Sequence, residues 1–325
     1  MRALPATARN CACAVALLAL AAAALAQTAS PPAEIIEMAQ RAYDKGDTQA
    51  AMGMVRPLGM SGNREAQFAL GRMLESLPRA TQAHYAEAAN WYYRAAQAGH
   101  PGAMNNLAAL HVDGLGVPVT YGIARLWYER AARTGLASAQ YNLALMYGRG
   151  QGGPRDQAGM LALMERAAAA KYDRAQAQLG RFALDGTGMP ADPARAAQWF
   201  RLAAEQGNPQ AQYHLAVLLQ KGIGVQRDLD EAYAWLQRAA DQSHPLAAWD
   251  LAVVYELGLG VPADPEAAFR NYRTSAQAGH PPAMDRMQYI YRNGELGQQA
   301  NPALATFWAA NVKSASAPRK GSTPR

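Results

Sequence analysis

The chain has 325 residues, of which 50% are hydrophobic and 17% charged, and its formal net charge is +6. This length allows two or three globular domains, and the basic balance points first to nucleic acid. Of the 31 lysines and arginines, however, two lie in 1–26 and four in 313–325. The other 25 lie in 27–312, together with all 25 acidic residues. The body of the chain is therefore neutral, which excludes the basic excess typical of nucleic-acid binding.

The first 26 residues have the composition of a secretory signal peptide. Arg2 and Arg9 precede an apolar run over 15–25, and residues 24–26 read Ala-Leu-Ala, a small-residue cleavage site. The alternative is an uncleaved membrane anchor, which the short apolar run disfavours. The sequence therefore predicts export to the periplasm, or secretion, with no membrane span left after cleavage.

Both cysteines of the chain, Cys11 and Cys13, fall inside this segment. The predicted mature chain begins at Gln27 and contains no thiol and no disulfide, although its compartment permits disulfides.

Two helices and one irregular loop are expected before the regular part of the chain. A linker over 27–33 leads into a helix that ends near 44–47, and a second helix is predicted over 48–58. Residues 76–85, which include Pro78, are expected to form a loop that puts the first unit one residue out of phase.

From about residue 86 one pattern returns every 36 residues. Its turn position is preceded by an alanine three residues earlier and followed by another alanine four residues later. The turn positions are Gly99, Gly135, Lys171, Gly207, Ser243 and Gly279. Self-similarity at a fixed period indicates a stacked array, in which neighbouring helix pairs stabilise one another.

The boundary residues of this pattern predict two helices in each repeat. First helices are predicted near 86–98, 120–134, 156–170, 192–206, 228–242 and 264–278. Second helices are predicted near 101–113, 137–149, 173–185, 209–221, 245–257 and 281–293. A closing helix is predicted over 302–312, with Asn301 as its cap. The N-cap aspartates are Asp156, Asp192, Asp228 and Asp264, and a glycine follows each second helix.

Three columns of large side chains are expected to form the core. The first reads Trp91, Trp127, Leu163, Trp199, Trp235, Asn271 and Phe307. Its neighbour reads Tyr92, Tyr128, Met164, Phe200, Leu236, Tyr272 and Trp308. The column of the second helices reads Leu107, Leu143, Leu179, Leu215, Leu251 and Met287.

The best copy of the pattern, residues 192–226, resembles the Sel-one-like repeat (SLR), a longer relative of the tetratricopeptide repeat. The residues that carry the resemblance are Asp192, Ala196, Trp199, Phe200, Ala203, Ala204, Gly207, Ala211, Gln212, Leu215, Ala216, Gly222, Gly224 and Val225. The resemblance covers nearly all of 47–312. Two copies depart from it, one with Leu163 and Lys171 and one with Asn271 and Gln288.

The resemblance implies an all-α fold, an α-solenoid of antiparallel helix pairs wound as a right-handed superhelix. It assigns one solenoid domain to 34–312, and the composition of 313–325 predicts a disordered basic tail. It also implies a non-enzymatic adaptor for protein–protein interaction, which in bacteria is frequently found in the cell envelope.

No catalytic, metal or cofactor site emerges from the sequence. The Gly-x-Gly pairs follow helices instead of strands, unlike phosphate loops. Three of the six histidines, His100, His244 and His280, share one turn position in different repeats, so a structural role is favoured over zinc binding. The alternative function is an envelope enzyme or binder acting on cell-wall or β-lactam ligands, as in cysteine-rich relatives. The absence of cysteine from the mature chain disfavours it.

Columns that vary between repeats are the places where a partner could be recognised. Two neighbouring columns on the first helices bring aromatic and arginine side chains together in the C-terminal half, the residue types enriched at interface hot spots. The hypothesis is a binding patch on the concave face, outside the repeat core, for a protein or peptide partner. Its residues are Tyr233, Phe269, Arg201, Gln237 and Arg273.

Overall fold

The computed structural model describes residues 31–316 of the chain. The predicted signal peptide and all but four residues of the predicted tail lie outside them. The described residues form sixteen α-helices and no strand. This confirms the all-α fold class and the arrangement in successive helix pairs.

Three helices precede the regular array. They are α1 (Pro32–Asp44), α2 (Thr48–Met60) and α3 (Arg64–Glu75). The Asp47 side chain accepts a hydrogen bond from the Ala50 N–H and so begins α2 as an N-cap.

The remaining helices follow in pairs. The first helices are α4 (Gln82–Gln97), α6 (Tyr121–Arg133), α8 (Gln157–Ala169), α10 (Pro193–Glu205), α12 (Leu229–Asp241) and α14 (Pro265–Gln277). The second helices are α5 (Pro101–Asp113), α7 (Ala137–Arg149), α9 (Asp173–Asp185), α11 (Pro209–Lys221), α13 (Pro245–Leu257) and α15 (Pro281–Asn293). The closing helix is α16 (Pro302–Ser316).

Several boundaries differ from the sequence prediction by two residues or more. Helix α1 begins at Pro32, inside the predicted linker 27–33, and α2 ends at Met60, two residues beyond 58. Helix α4 begins at Gln82, so the irregular loop is shorter than 76–85. The reason is a capping box, in which the Thr81 side chain accepts from the His84 N–H and the His84 side chain accepts from the Thr81 N–H. At the other end, α16 continues to Ser316, four residues beyond 312.

The same local signals recur at the helix ends. The four predicted aspartates each accept a backbone N–H in the first turn of the following helix. Lys171 and Ser243 hold the left-handed backbone, both with φ of 60°, at the turn where the other repeats have glycine. This conformation costs a residue with a Cβ about 1–2 kcal/mol, so the repeat imposes it against local preference.

The chain divides into two compact units. One contains 31–139 and 151–154, and the other contains 140–150 and 155–316. Within each unit, a helix packs chiefly against the helices before and after it in sequence. Such nearest-neighbour packing is what makes a solenoid repeat depend on the next one.

Small residues on the second helices receive large side chains from the next first helix. At Gly180 in α9, an added Cβ would lie 2.7 Å from the Phe200 ring, and at Gly71 in α3 it would lie 2.4 Å from the Tyr92 ring. Phe200 and Tyr92 are both fully buried in consequence. The column to which they belong is buried in every repeat, as predicted.

The residues of the tryptophan column are buried to different extents, whereas the sequence predicted that all of them lie in the core. Trp91, Trp127 and Trp235 are buried, but Phe307 is 55% exposed, so its placement in the core is wrong. The physical reason is its position in α16. Among the described residues no second helix follows α16 to cover Phe307.

Candidate partner-binding surface

Arg201, one of the predicted binding residues, lies where two consecutive first helices meet. Arg201 in α10 binds Glu231 in α12 through two hydrogen bonds, of 2.5 and 3.2 Å. Glu231 also accepts from the Trp235 indole N–H at 3.1 Å. The Arg201 hydrogen bonds lower the pKa of the Glu231 carboxyl. Arg201 is therefore already occupied in joining two repeats.

The same arrangement occurs between α2 and α4. Arg56 lies 2.9 Å from Glu87, and Glu87 accepts from the Trp91 indole N–H at 3.2 Å. Between α8 and α10 the acidic and basic residues have swapped places: Glu165 lies on the earlier helix and Arg195 on the later one, 3.5 Å apart. Ion pairs of this exposure contribute at most about 1 kcal/mol each, so they add little to the stability of the repeats.

Tyr233 and Phe269 face the second helix of their own repeat. The Tyr233 ring meets Tyr255 at 82° with centroids 6.2 Å apart, and the two hydroxyls lie 2.5 Å apart. Burial raises the pKa of Tyr233 to about 12, and the hydrogen bond to Tyr255 adds to the shift. Phe269 meets Tyr291 in the same way, at 90° and 5.9 Å.

Phe269 is only 6% exposed and belongs to the core of its unit. The expectation that its column lies outside the core is therefore wrong at this position. Its ring instead supports the exposed Arg273, whose guanidinium carbon lies 5.7 Å from the ring centroid. Of the predicted set, these two side chains are in contact.

Gln237 lies at the next junction, between α12 and α14. Its Nε2 donates to the Asp241 carboxylate at 2.8 Å. Beside it is a cavity of about 300 Å³ whose walls include Gln237, Asp241, Tyr255, Ala267 and Asn271. The predicted surface thus contains an ion pair at one junction and an open polar cavity at the next.

Sequence reasoning missed Glu231, Asp241 and Asn271 as members of this surface. A signal for the first was present, because oppositely charged residues recur 30 positions apart, as in Arg201 and Glu231. Asn271 was noted only as a departure from the repeat.

The histidines have structural surroundings. The Nδ1 atoms of His100 and His244 accept the N–H groups of Ala103 and Ala247, so both residues cap second helices. His280 makes no side-chain cap bond. In the part of the chain that the structure describes, no three histidine, aspartate, glutamate or cysteine side chains gather as metal ligands would.

A sequence profile of the Sel1 repeat matches seven consecutive stretches of the chain. They are residues 64–100, 101–136, 137–172, 173–208, 209–244, 245–280 and 281–310. The chain belongs to the Sel1 repeat family. The five matches from 101–136 to 245–280 each begin with a second helix and continue through the next first helix.

Two solved Sel1 structures are similar over most of this chain. The c5321 protein of uropathogenic Escherichia coli, a protective antigen with an SLR fold, is 27% identical with a TM-score of 0.64. The match covers 88% of this chain but 62% of c5321, so the chain spans less than two thirds of that protein. A Sel1 repeat protein from Oxalobacter formigenes is 29% identical with a TM-score of 0.68, over 76% of this chain and 98% of that one. None of the curated proteins compared with the chain matches it.

Sel1 repeat proteins are generally non-catalytic scaffolds that mediate protein–protein interaction. Over residues 31–316, no helix combines the length and the apolar character needed to cross a membrane.

Proposed function

We propose that the chain is an exported scaffold that binds a partner protein or peptide in the bacterial cell envelope. The observation that carries this proposal is the array of seven Sel1 repeats. The envelope location rests on the predicted signal peptide. The binding surface is the face of the first helices, which is concave in solenoids of this kind, around Tyr233, Gln237 and Arg273.

Arg273 is the side chain best suited to bind a partner. It is exposed, and its cation–π contact with the Phe269 ring favours one orientation of the side chain. Arginine can pair with a carboxylate or stack on a ring, and a preordered side chain loses less entropy on binding. Phe269 and Arg201 then act as supports, the first beneath Arg273 and the second in the ion pair to Glu231.

Affinity capture from an envelope extract, with the mature chain as bait, tests the proposal. We expect a stoichiometric protein partner, whose affinity the Arg273→Ala variant weakens by about 2 kcal/mol, as at a hot spot. Arg130→Ala is the matched control, because Arg130 lies 4.8 Å above the Trp127 ring on a first helix of the other unit.

Equal loss of affinity in both variants would contradict the proposed location. Recovery of cell-wall fragments alone, without a protein, would contradict the scaffold function and favour the cell-wall alternative.

A further inference from the structure

One feature that the scaffold function alone leaves without a role is the cavity between α12, α13 and α14. It has a volume of about 300 Å³, at the lower end of the range for ligand pockets. Its walls are Gln237, Ala240 and Asp241 of α12, Ser243 of the following turn, Tyr255 of α13, and Ala267, Arg270, Asn271 and Thr274 of α14.

The junction that forms this cavity carries smaller side chains than the preceding one. One repeat earlier, Arg201, Glu231 and Trp235 bond together there. The residues 36 positions later are Gln237, Ala267 and Asn271. Each of these three residues is smaller than its equivalent in the preceding repeat. A fourth difference lies one turn further along α14.

A fourth position also differs between the two junctions, namely the residue whose side chain lies over the Trp235 indole. Arg238 lies 4.4 Å above the Trp235 ring, whereas the equivalent residue on α14 is Thr274. Four positions on two helices therefore differ between the two junctions.

The walls offer both hydrogen-bond donors and acceptors. Gln237 Nε2 donates to Asp241 at 2.8 Å, and Asn271 Nδ2 donates to the Ala267 carbonyl at 2.9 Å. A primary amide has two N–H groups and a carbonyl oxygen, so each of these side chains keeps one donor and one acceptor for a ligand.

The charges on the walls balance. Asp241 carries the negative charge, and Arg270 carries the positive one while pairing with Glu266 at 3.1 Å. A neutral, polar ligand with a donor beside an acceptor is the best complement to such walls.

We propose that this cavity binds the main chain of an extended peptide segment of the partner, through the amides of Gln237 and Asn271. The proposal rests on the proposed function and deepens it. A peptide group presents one N–H and one carbonyl oxygen, which match the free donor and acceptor of a side-chain amide. A sugar would stack on an aromatic face, whereas Tyr255, the aromatic residue of the walls, meets the Tyr233 ring at 82° and is hydrogen-bonded to its hydroxyl.

The test refills the cavity with the side chains of the preceding junction. The variant Gln237→Arg/Ala267→Glu/Asn271→Trp introduces at this junction the same ion pair and indole that Arg201, Glu231 and Trp235 provide one repeat earlier. The control is Leu163→Trp, which restores the indole at the equivalent position on α8 and leaves the cavity open. The probe is a library of random twelve-residue peptides, selected on the mature wild-type chain and then measured one at a time by isothermal titration calorimetry.

We expect the selected peptides to bind wild type and the Leu163→Trp control alike, and the refilled variant about tenfold more weakly or worse. Circular dichroism checks that the refilled variant is folded. If it is not, Gln237→Ala/Asn271→Ala takes its place, because it removes both amides and adds no volume, and the same loss of affinity is expected.

Failure to select any peptide overturns the proposal, as does equal affinity for the refilled variant. Binding of a muropeptide sugar that is lost on refilling also overturns it, since the ligand class is then a glycan. The proposed function is tested separately. If the partner from the envelope extract is captured equally by wild type and the refilled variant, the scaffold function stands and the peptide cavity fails.

Discussion

At the scale of single residues, His244 combines a helix cap with a hydrogen bond to the neighbouring repeat. Its Nδ1 accepts the Ala247 N–H at 3.2 Å, its Nε2 lies 3.0 Å from the Gln210 amide oxygen, and its ring stacks on Tyr213 at 5.0 Å. This arrangement requires a neutral imidazole, because a proton on Nδ1 would remove the acceptor. Burial first, and then the charge of His214, lower the pKa of His244 to about 4.

Stability should therefore fall in mild acid. The unfolded chain takes up the proton near pH 6.5, while the folded chain resists it down to about 4. The contribution of His244 is thus complete above pH 6.5 and is lost as the pH falls towards 4. We expect the thermal midpoint, measured by circular dichroism, to fall over this range.

His244→Asn is the informative variant for this prediction. Asn208 caps α11 at the equivalent position, so asparagine keeps the cap and removes the titrating group. The variant should lose less stability than wild type between pH 7 and pH 4.5. If the variant loses as much stability as wild type between pH 7 and pH 4.5, groups other than His244 cause the acid sensitivity.

At the scale of helices, the alanine columns set how closely one helix approaches the next. Ala204 in α10 is 1% exposed and lies in the same core cluster as Leu215 of α11. The sequence predicted this column from its period alone. The depth of the contact could not be read from the sequence, because it depends on which side chain faces the alanine across the interface.

Ala204→Leu should destabilise the protein by about 1–3 kcal/mol. The added carbon atoms have no space in a close-packed interface, so neighbouring side chains must leave their preferred rotamers. Chemical denaturation followed by helicity measures the change. Ala234→Leu on α12, where the alanine is exposed, is the matched control and should change stability by about 0.5 kcal/mol or less. A neutral Ala204→Leu would mean that this interface is loosely packed.

At the scale of the whole molecule, the seven Sel1 repeats occupy residues 64–310, and the predicted signal peptide precedes them in the sequence. The basic start, the apolar run and the Ala-Leu-Ala sequence at 24–26 predict removal of 1–26. The intact mass of the protein recovered from the periplasm or the medium should correspond to a chain that begins at Gln27. It should also show no reaction with a thiol reagent.

A variant with a blocked cleavage site controls this prediction. Ala26→Phe places a large side chain where a small one is required, and the recovered protein should keep the segment 1–26. If wild type also keeps that segment, the chain is anchored or retained, and the envelope scaffold would have to act at a membrane.

By itself, the sequence determined the family, the fold class and nearly all helix boundaries of the array. These depend on signals within one turn of the chain, such as Asp192 at an N-cap and Gly222 after a second helix, and a fixed period repeats each signal many times. An error at one copy is corrected by the others. Even Lys171 and Ser243 could be assigned to the turn in this way, although neither residue favours a left-handed backbone.

Only the tertiary structure decided which side chains of the variable columns remain available. Phe269 is buried because Tyr291 packs against it, and Phe307 is exposed because no described second helix covers it. The cavity beside Asn271 depends on side chains from α12, α13 and α14 together. The exposure of a residue in a solenoid is set by the size of its neighbours in adjacent helices. A repeat pattern shows which positions are equivalent, but it does not show how much of each side chain the neighbouring helices leave exposed.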